Sequence, residues 1–109
     1  PLCKEALATL KQLRKHAEEV RAMAAVASLL TGATVSLPAE LPRRLLAEAA
    51  ASVLPLAELR RRAADTDMDR RMRAGVVLAL LDDPVARRMA MDDPAPALRS
   101  AVRAALPSA

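Results

Sequence analysis

The chain has 109 residues, a length that predicts one domain spanning residues 1–109. Phe, Tyr, Trp and Ile are absent while Ala and Leu dominate; because alanine and leucine favour helices and aromatic or β-branched residues favour strands, this composition excludes a β-rich fold and predicts an all-α protein. Lysine and arginine exceed aspartate and glutamate by 17 to 13, and the formal net charge of +4 permits acidic partners without requiring them.

Residues 4–30 predict one long amphipathic helix. Its small and apolar side chains recur at alternating spacings of four and three, the pattern of a seam between paired helices: Ala6, Leu10, Leu13, Ala17, Val20, Ala24 and Ala27. Leu7, Met23 and Leu30 widen this seam, and charged residues occupy much of the remaining circumference. The alanines favour close approach of a neighbouring helix, from either the same chain or another one. Gly32 predicts the end of the helix.

Residues 32–41 predict a connection, in which Ser36 and Pro38 favour a short turn of helix. A second helix from about residue 42 to residue 54 follows, with Pro42 in its first turn. Its spacing directs four side chains inward, which are Leu45, Leu46, Ala49 and Val53.

Four shorter helices are predicted after residue 55, at about 56–64, 68–81, 84–90 and 95–106. Asp83-Pro84 and Asp93-Pro94 each combine a capping carboxylate with a proline that the first helical position tolerates. Asp65, Thr66, Asp67 and Asp69 supply similar capping chemistry, without a proline, around the start of the helix at 68–81. We therefore expect a compact helical array in which short helix pairs follow the long helix.

A weak internal repeat supports this arrangement. An offset of 26 residues carries Asp67, Met72, Arg73 and Val76 onto Asp93, Leu98, Arg99 and Val102. The run Asp93-Pro94-Ala95-Pro96-Ala97-Leu98-Arg99-Ser100-Ala101-Val102 resembles the turn and helix start of leucine-rich-repeat-variant and HEAT-like α-solenoids. This resemblance covers residues 54–106 and implies alternating short and long helices, whereas residues 4–30 do not fit its period.

No group of residues in the sequence predicts catalysis, a cofactor or a metal site. One histidine, His16, and one cysteine, Cys3, provide neither a zinc ligand set nor a persuasive pairing of nucleophile and base. The single cysteine also excludes the cysteine-bound iron–sulfur cluster that the resemblance would otherwise suggest. Two isolated glycines do not form a phosphate-binding loop. We interpret the paired acids Asp82-Asp83 and Asp92-Asp93 as helix caps rather than metal ligands.

The sequence also carries expectations about location. The longest apolar run, residues 22–27, is far shorter than the ~20 residues that cross a bilayer, so we expect no transmembrane helix. We find no secretory signal near residue 1, and Cys3 has no second cysteine for an internal disulfide. These features predict a cytoplasmic protein.

The leading functional hypothesis is a non-enzymatic protein–protein interaction module, an adaptor or small chaperone-like scaffold that binds a polypeptide in a helical groove or on a helical face. Self-association through residues 4–30 is an equal form of this hypothesis. The alternative is a nucleic-acid-binding module that uses an arginine-rich face, although ten arginines and eight acids in residues 54–109 leave that half close to neutral. The candidate contact residues are Arg61, Arg62, Arg73, Arg87, Arg88, Arg99, Met68 and Met72.

Overall fold

One long helix and five shorter ones make up residues 4–32 and 37–107, the parts of the chain that the structure, a computed structural model, describes. They are α1 (Lys4–Thr31), α2 (Arg43–Val53), α3 (Leu56–Ala63), α4 (Met68–Leu80), α5 (Pro84–Asp92) and α6 (Pro96–Ala105). These ranges contain no strand, so the all-α prediction is confirmed. None of the described helices combines the length and the apolar character needed to cross a membrane. Cys3 and Ser36 lie outside the described residues.

The connection from α1 to α2 follows the predicted boundaries, with one correction. Gly32 adopts φ +88°, a left-handed conformation that glycine reaches without a side-chain clash, and its N–H donates to the Leu29 carbonyl at 3.3 Å. The Leu41 N–H donates to the Pro38 carbonyl at 3.4 Å and closes a turn there. Pro42 occupies the N-cap position with extended backbone (ψ 138°), so it precedes the first turn of α2 rather than lying within it.

Helix α4 lies at the centre of the array and contacts each of the other five helices. Seven consecutive residues, 74–80, are buried, as a helix surrounded by neighbours requires. Gly75 permits the closest approach, because a Cβ atom there would lie 2.8 Å from Met89 Cε and 2.9 Å from Val102 Cγ2. Consecutive helices also pack in pairs, α1 with α2, α3 with α4 and α5 with α6. The prediction of a compact helical array is therefore confirmed.

Helix α1 joins this array through its carboxyl-terminal half only. Ala22, Val26 and Leu29 are buried, and α1 packs on α2 and α4. Residues 4–17 are exposed apart from half-buried Ala6, so the amino-terminal half extends beyond the other helices. A helix of 28 residues is about 42 Å long, and its projecting half contributes to the 59 Å long axis of the molecule.

Helix α6 begins within one residue of its predicted start, but its capping differs from the prediction. Asp83 caps α5 as expected, because its side chain accepts from the Val85 N–H and Pro84 begins the helix. Asp93 instead ends α5, and α6 begins at Pro96 with Ala95 as its N-cap residue. The Asp93 carboxylate accepts from the Ala95 N–H at 2.9 Å, so it closes a turn before the helix rather than capping its first turn.

This difference also changes the period of the predicted repeat. Asp67 caps α4 by accepting from the Arg70 N–H, a role that Asp93 does not share in α6. Counted from helix starts, α5 begins 28 residues after α3 and α6 begins 28 residues after α4. The offset of 26 aligns similar residues but not equivalent ends of the helices.

Candidate interaction surface

The predicted seam of α1 lies on the solvent-exposed side of that helix. We call its residues the α1 stripe: Ala6, Leu10, Leu13, Ala17, Val20, Ala24 and Ala27. Leu10, Leu13 and Val20 are 52%, 60% and 53% exposed. All members other than half-buried Ala6 are exposed.

Helix geometry accounts for the exposure of the α1 stripe. Successive residues rotate by about 100°, so the buried residues Ala22, Val26 and Leu29 point about 180° away from the stripe. Residues 18–31 therefore carry two faces, one packed in this chain and one open. From Ala6 to Ala27 the open face is about 30 Å long. Leu7 and Met23, which are 46% and 39% exposed, widen it at its edges.

One edge of the α1 stripe carries positive charge. The heptad positions directly beside the stripe hold Leu7, Arg14 and Arg21 on one side and Thr9, His16 and Met23 on the other. None of these is acidic. Arg21 pairs with Glu40 at 2.6 Å, whereas Arg14 forms no ion pair with any residue that the structure describes.

The projecting part of α1 also holds most of the net charge of the chain. Residues 4–17 contain four basic residues and one acidic residue, a net charge of +3, compared with +4 for all 109 residues. Opposite charges attract over about 8–10 Å at physiological salt. The open face of α1 is therefore apolar along its centre and basic at the edge that contains Arg14 and Arg21. Lys4, Lys11 and Lys15 lie towards the opposite side of the helix, because successive residues rotate by about 100°.

The predicted arginine candidates are divided between different environments. Arg61, Arg62 and Arg73 line one cleft of about 330 Å³, together with Arg70. We call this the arginine cleft. It lies where α3 and α4 meet the end of α1, and Asp65 is the acidic residue in its lining.

Glu58, outside the lining of the arginine cleft, holds two of its guanidinium groups. Arg61 Nε and Arg62 Nε donate to the Glu58 carboxylate at 2.8 and 3.1 Å. These hydrogen bonds, from Arg61 first and Arg62 second, lower the pKa of Glu58 to about 2. Arg73 is only 11% exposed and bridges Asp69 and the Leu29 carbonyl, at 2.9 and 3.1 Å.

The remaining candidates lie outside the lining of the arginine cleft. Arg87 pairs with Asp82, and the Arg99 guanidinium donates to the Asp93 carbonyl. Arg88 and Met68 are exposed, the latter by 40%. Met72 is half-buried against the core.

Two further arginines hold the turns between helices. Arg60 donates to Asp83 through two nitrogens at 2.7 and 3.3 Å, and Arg71 donates to Asp93 in the same way at 2.7 and 3.1 Å. Both carboxylates are nearly fully buried. In each pair, the hydrogen bonds from the arginine lower the pKa of the aspartate, and they are the largest effect. Burial raises that pKa by less, so the pKa of each aspartate stays below its ordinary value.

Three more arginines close helix ends. Arg73, Arg43 and Arg103 donate to the carbonyls of Leu29, Ala79 and Ala90, at distances of 3.1, 2.9 and 2.9 Å. These carbonyls belong to the last turns of α1, α4 and α5, where intrahelical donors are lacking. Most arginines of this chain therefore serve the fold.

The arginine-rich face considered for nucleic-acid binding includes Arg70, but the candidate contact residues selected from that face do not, although a signal for it exists. Arg70 precedes Arg73 by three residues on α4, and residues three apart share a helix face. The structural roles of Arg60 and Arg71 were also missed, because their partners lie 22 or 23 residues away. No protein-family model, curated protein or solved structure matches this chain.

Proposed function

We propose that this chain is a non-enzymatic, cytoplasmic protein-interaction module, an adaptor or small chaperone-like scaffold, whose α1 stripe binds an amphipathic helix of a protein partner. The observation that carries the proposal is the exposure of Leu10, Leu13 and Val20, each more than half open on the face opposite the packed one. Contiguous exposed apolar surface of this kind marks interaction sites. The spacing of four and three matches the pairing of one helix with another.

The size of the apolar contribution indicates that charge contributes as well. Five large side chains along and beside the α1 stripe are 39–60% exposed. Burying the open half of each is worth about 1 kcal/mol, because full burial is worth about 1.5–3 kcal/mol. The total of about 5 kcal/mol is near the lower end of the ~4–15 kcal/mol that association costs. Complementary charge beside the stripe is therefore needed for useful affinity and partner choice.

The basic edge of the α1 stripe, which contains Arg14 and Arg21, favours a partner helix with an acidic edge. In an antiparallel pair of two copies, Arg14 of one copy approaches Arg21 of the other. In a parallel pair, Arg14 and Arg21 approach the edge that contains His16. Neither arrangement brings an acid of one α1 against a base of the other at these positions, so a second copy is the poorer occupant.

The hydrogen bonds of the arginines support this ranking over nucleic-acid binding. Of the ten arginines in residues 54–107, eight donate to carboxylates or carbonyls of the described chain. Arg70 and Arg88 are the two without such a bond in the described ranges. Nucleic-acid affinity depends on cations available to phosphates, and internal ion pairs reduce that availability.

We also infer that α3–α6 form two stacked units of α-solenoid type. Support comes from the packing of α3 on α4 and of α5 on α6, and from the packing of α4 on α6 between the units. In this view α1 is an additional element that contributes the binding surface.

Two synthetic helical peptides test the proposed function. Both carry leucine at heptad positions a and d; the first has glutamate and the second has lysine at positions e and g. We expect the glutamate peptide to bind in fluorescence anisotropy and the lysine peptide to bind at least tenfold more weakly. Leu13→Glu should weaken binding of the glutamate peptide at least tenfold, because it places a charge in the centre of the stripe.

Gln12→Glu is the matched control, since it adds the same charge at an exposed position of α1 outside the stripe. This variant should bind the glutamate peptide within a few-fold of the unmodified protein. Equal loss of binding in both variants, or no loss in Leu13→Glu, would overturn the proposal. Sedimentation of the unmodified protein should show a monomer, and a dimer abolished by Leu13→Glu would assign the stripe to a second copy.

A further inference from the structure

We propose that the arginine cleft is a binding site for a phosphate monoester, separate from the α1 stripe. The cleft of about 330 Å³ brings together Arg61, Arg62, Arg70 and Arg73 from two helices. Phosphate oxygens and guanidinium groups form bidentate, charge-assisted hydrogen bonds. The proposal does not depend on the proposed function of α1.

The hydrogen bonds inside the cleft leave donors for a ligand. The Glu58 carboxylate engages Arg62 through Nε alone, so both terminal nitrogens of Arg62 remain for an incoming oxygen. Arg70 is exposed, and its guanidinium has no hydrogen bond or ion pair within residues 4–32 and 37–107. These two side chains provide the direct contacts. Arg61 and Arg73 contribute positive charge while their own bonds hold them in place.

The balance of charge at the cleft favours an anion. Four guanidinium groups meet there, whereas Asp65 lines the cleft and Glu58 and Asp69 pair with its arginines. The net charge of these seven groups is therefore +1. Asp65 also accepts from the Asp67 N–H at 2.8 Å, which holds its carboxylate within its own loop. Binding of a dianionic phosphate would change the net charge of the site from +1 to −1. Asp65 is the carboxylate in the lining that would repel the phosphate.

The dimensions of the cleft favour a small ligand over a polymer. Its volume is at the lower end of the roughly 300–1,000 Å³ range of ligand pockets. Leu30 and Ala74 provide apolar wall beside the arginines. A phosphate on a small organic group therefore fits both the charged and the apolar parts of the cleft.

Titration of the intact chain with O-phosphoserine, followed by NMR of the arginine Nε–Hε groups, tests this site. We expect saturable shifts at Arg62 and Arg70, and about tenfold weaker binding in Arg70→Ala. Arg88→Ala is the matched control, because Arg88 is also exposed and has no ion pair among the described residues, but it lies on α5 outside the cleft. This variant should bind as the unmodified protein does. Asp65→Asn should bind more tightly.

Inorganic phosphate, titrated in parallel, distinguishes the source of the ligand. Tighter binding of O-phosphoserine supports an organic phosphate, and equal binding of both supports free phosphate at the same site. Undiminished binding in Arg70→Ala, with a helical spectrum unchanged, would overturn the proposal. Equal shifts at Arg88 would do the same, since they would indicate nonspecific attraction.

Discussion

Asp82 shows how this chain ends helices with few glycines. It has φ +53°, the left-handed conformation that usually selects glycine after a helix. Its N–H donates to the Ala79 carbonyl at 3.0 Å, and the Asp83 N–H donates to the Leu78 carbonyl at 3.0 Å. These two bonds form a Schellman motif at the end of α4. Aspartate tolerates this conformation better than most residues with a side chain.

The stabilities of variants at Asp82 should therefore follow a predictable order. Asp82→Gly should be more stable than Asp82→Ala by about 1 kcal/mol, since alanine is strained in the left-handed region and both variants lose the half-exposed pair with Arg87. Urea denaturation measures the difference. At Asp92, the helical last residue of α5, the order should reverse, with alanine above glycine. The same order at both positions would contradict this explanation of Asp82.

At the scale of helices, buried aspartates connect successive turns. Asp93 accepts two hydrogen bonds from Arg71 of α4 and one from the Ala95 N–H before α6, so it links α4 to the start of α6. Arg71 also donates to the carbonyls of Asp65 and Thr66, both at 3.2 Å. One ion pair therefore fixes two of the connections in the array.

This linkage predicts acid sensitivity. The bidentate bond from Arg71 lowers the pKa of Asp93 from its ordinary value of 3.8, so the folded state favours the ionised carboxylate. A depressed folded-state pKa contributes stability above the unfolded value, and that stability is lost as the pH falls through the folded value. We expect the free energy of unfolding to decrease below about pH 5. Asp83 and Glu58 act in the same direction.

Asp93→Asn tests the contribution of this residue. It should lower stability by about 2 kcal/mol at pH 7, because it weakens a largely buried ion pair, and the loss should shrink towards pH 3. Urea denaturation between pH 3 and pH 7 gives both values. Asp92→Asn, at the exposed neighbour, should leave the pH profile parallel to that of the unmodified protein. A constant difference between Asp93→Asn and the unmodified protein at every pH would exclude the linkage.

Local signals made the helices predictable to within about two residues. Proline and aspartate act on the adjacent backbone, and this is why the starts of α3, α4 and α5 could be predicted. The N-cap residue of α6 could not, because Pro94 and Pro96 both suit the first position of a helix. In the structure the helix begins at Pro96, and Asp93 is held in the preceding turn by Arg71, which lies 22 residues earlier in the sequence.

Tertiary packing also decided which face of α1 is buried. The sequence contains two sets of small and apolar residues on this helix, and the periodicity identified the α1 stripe while overlooking Ala22, Val26 and Leu29. The spacing of small and apolar residues suits both faces for packing, so the spacing alone does not identify the buried face. In the arginine cleft, Arg61, Arg62 and Arg73 were predictable as cations, but their meeting with Arg70 depends on how α3 packs on α4.

At the scale of the whole molecule, a nearly neutral array supports a basic, half-open helix. Residues 18–109 contain 13 basic and 12 acidic residues, and the described arginines among them are largely paired. The amino-terminal half of α1 carries the remaining net charge and also contains the exposed Leu10 and Leu13. This division separates the residues that stabilise the fold from those that we propose to bind a partner.

The most direct measurement is the amide NMR spectrum of the chain during titration with the glutamate-edged peptide. We predict shifts concentrated at Leu10, Leu13, Ala17 and Val20, with the amides of α5 and α6 unchanged. Such a result places the partner helix on the open face of α1. Shifts concentrated on the arginines of α3–α6, with the amides of α1 unchanged under saturating peptide, would contradict the account.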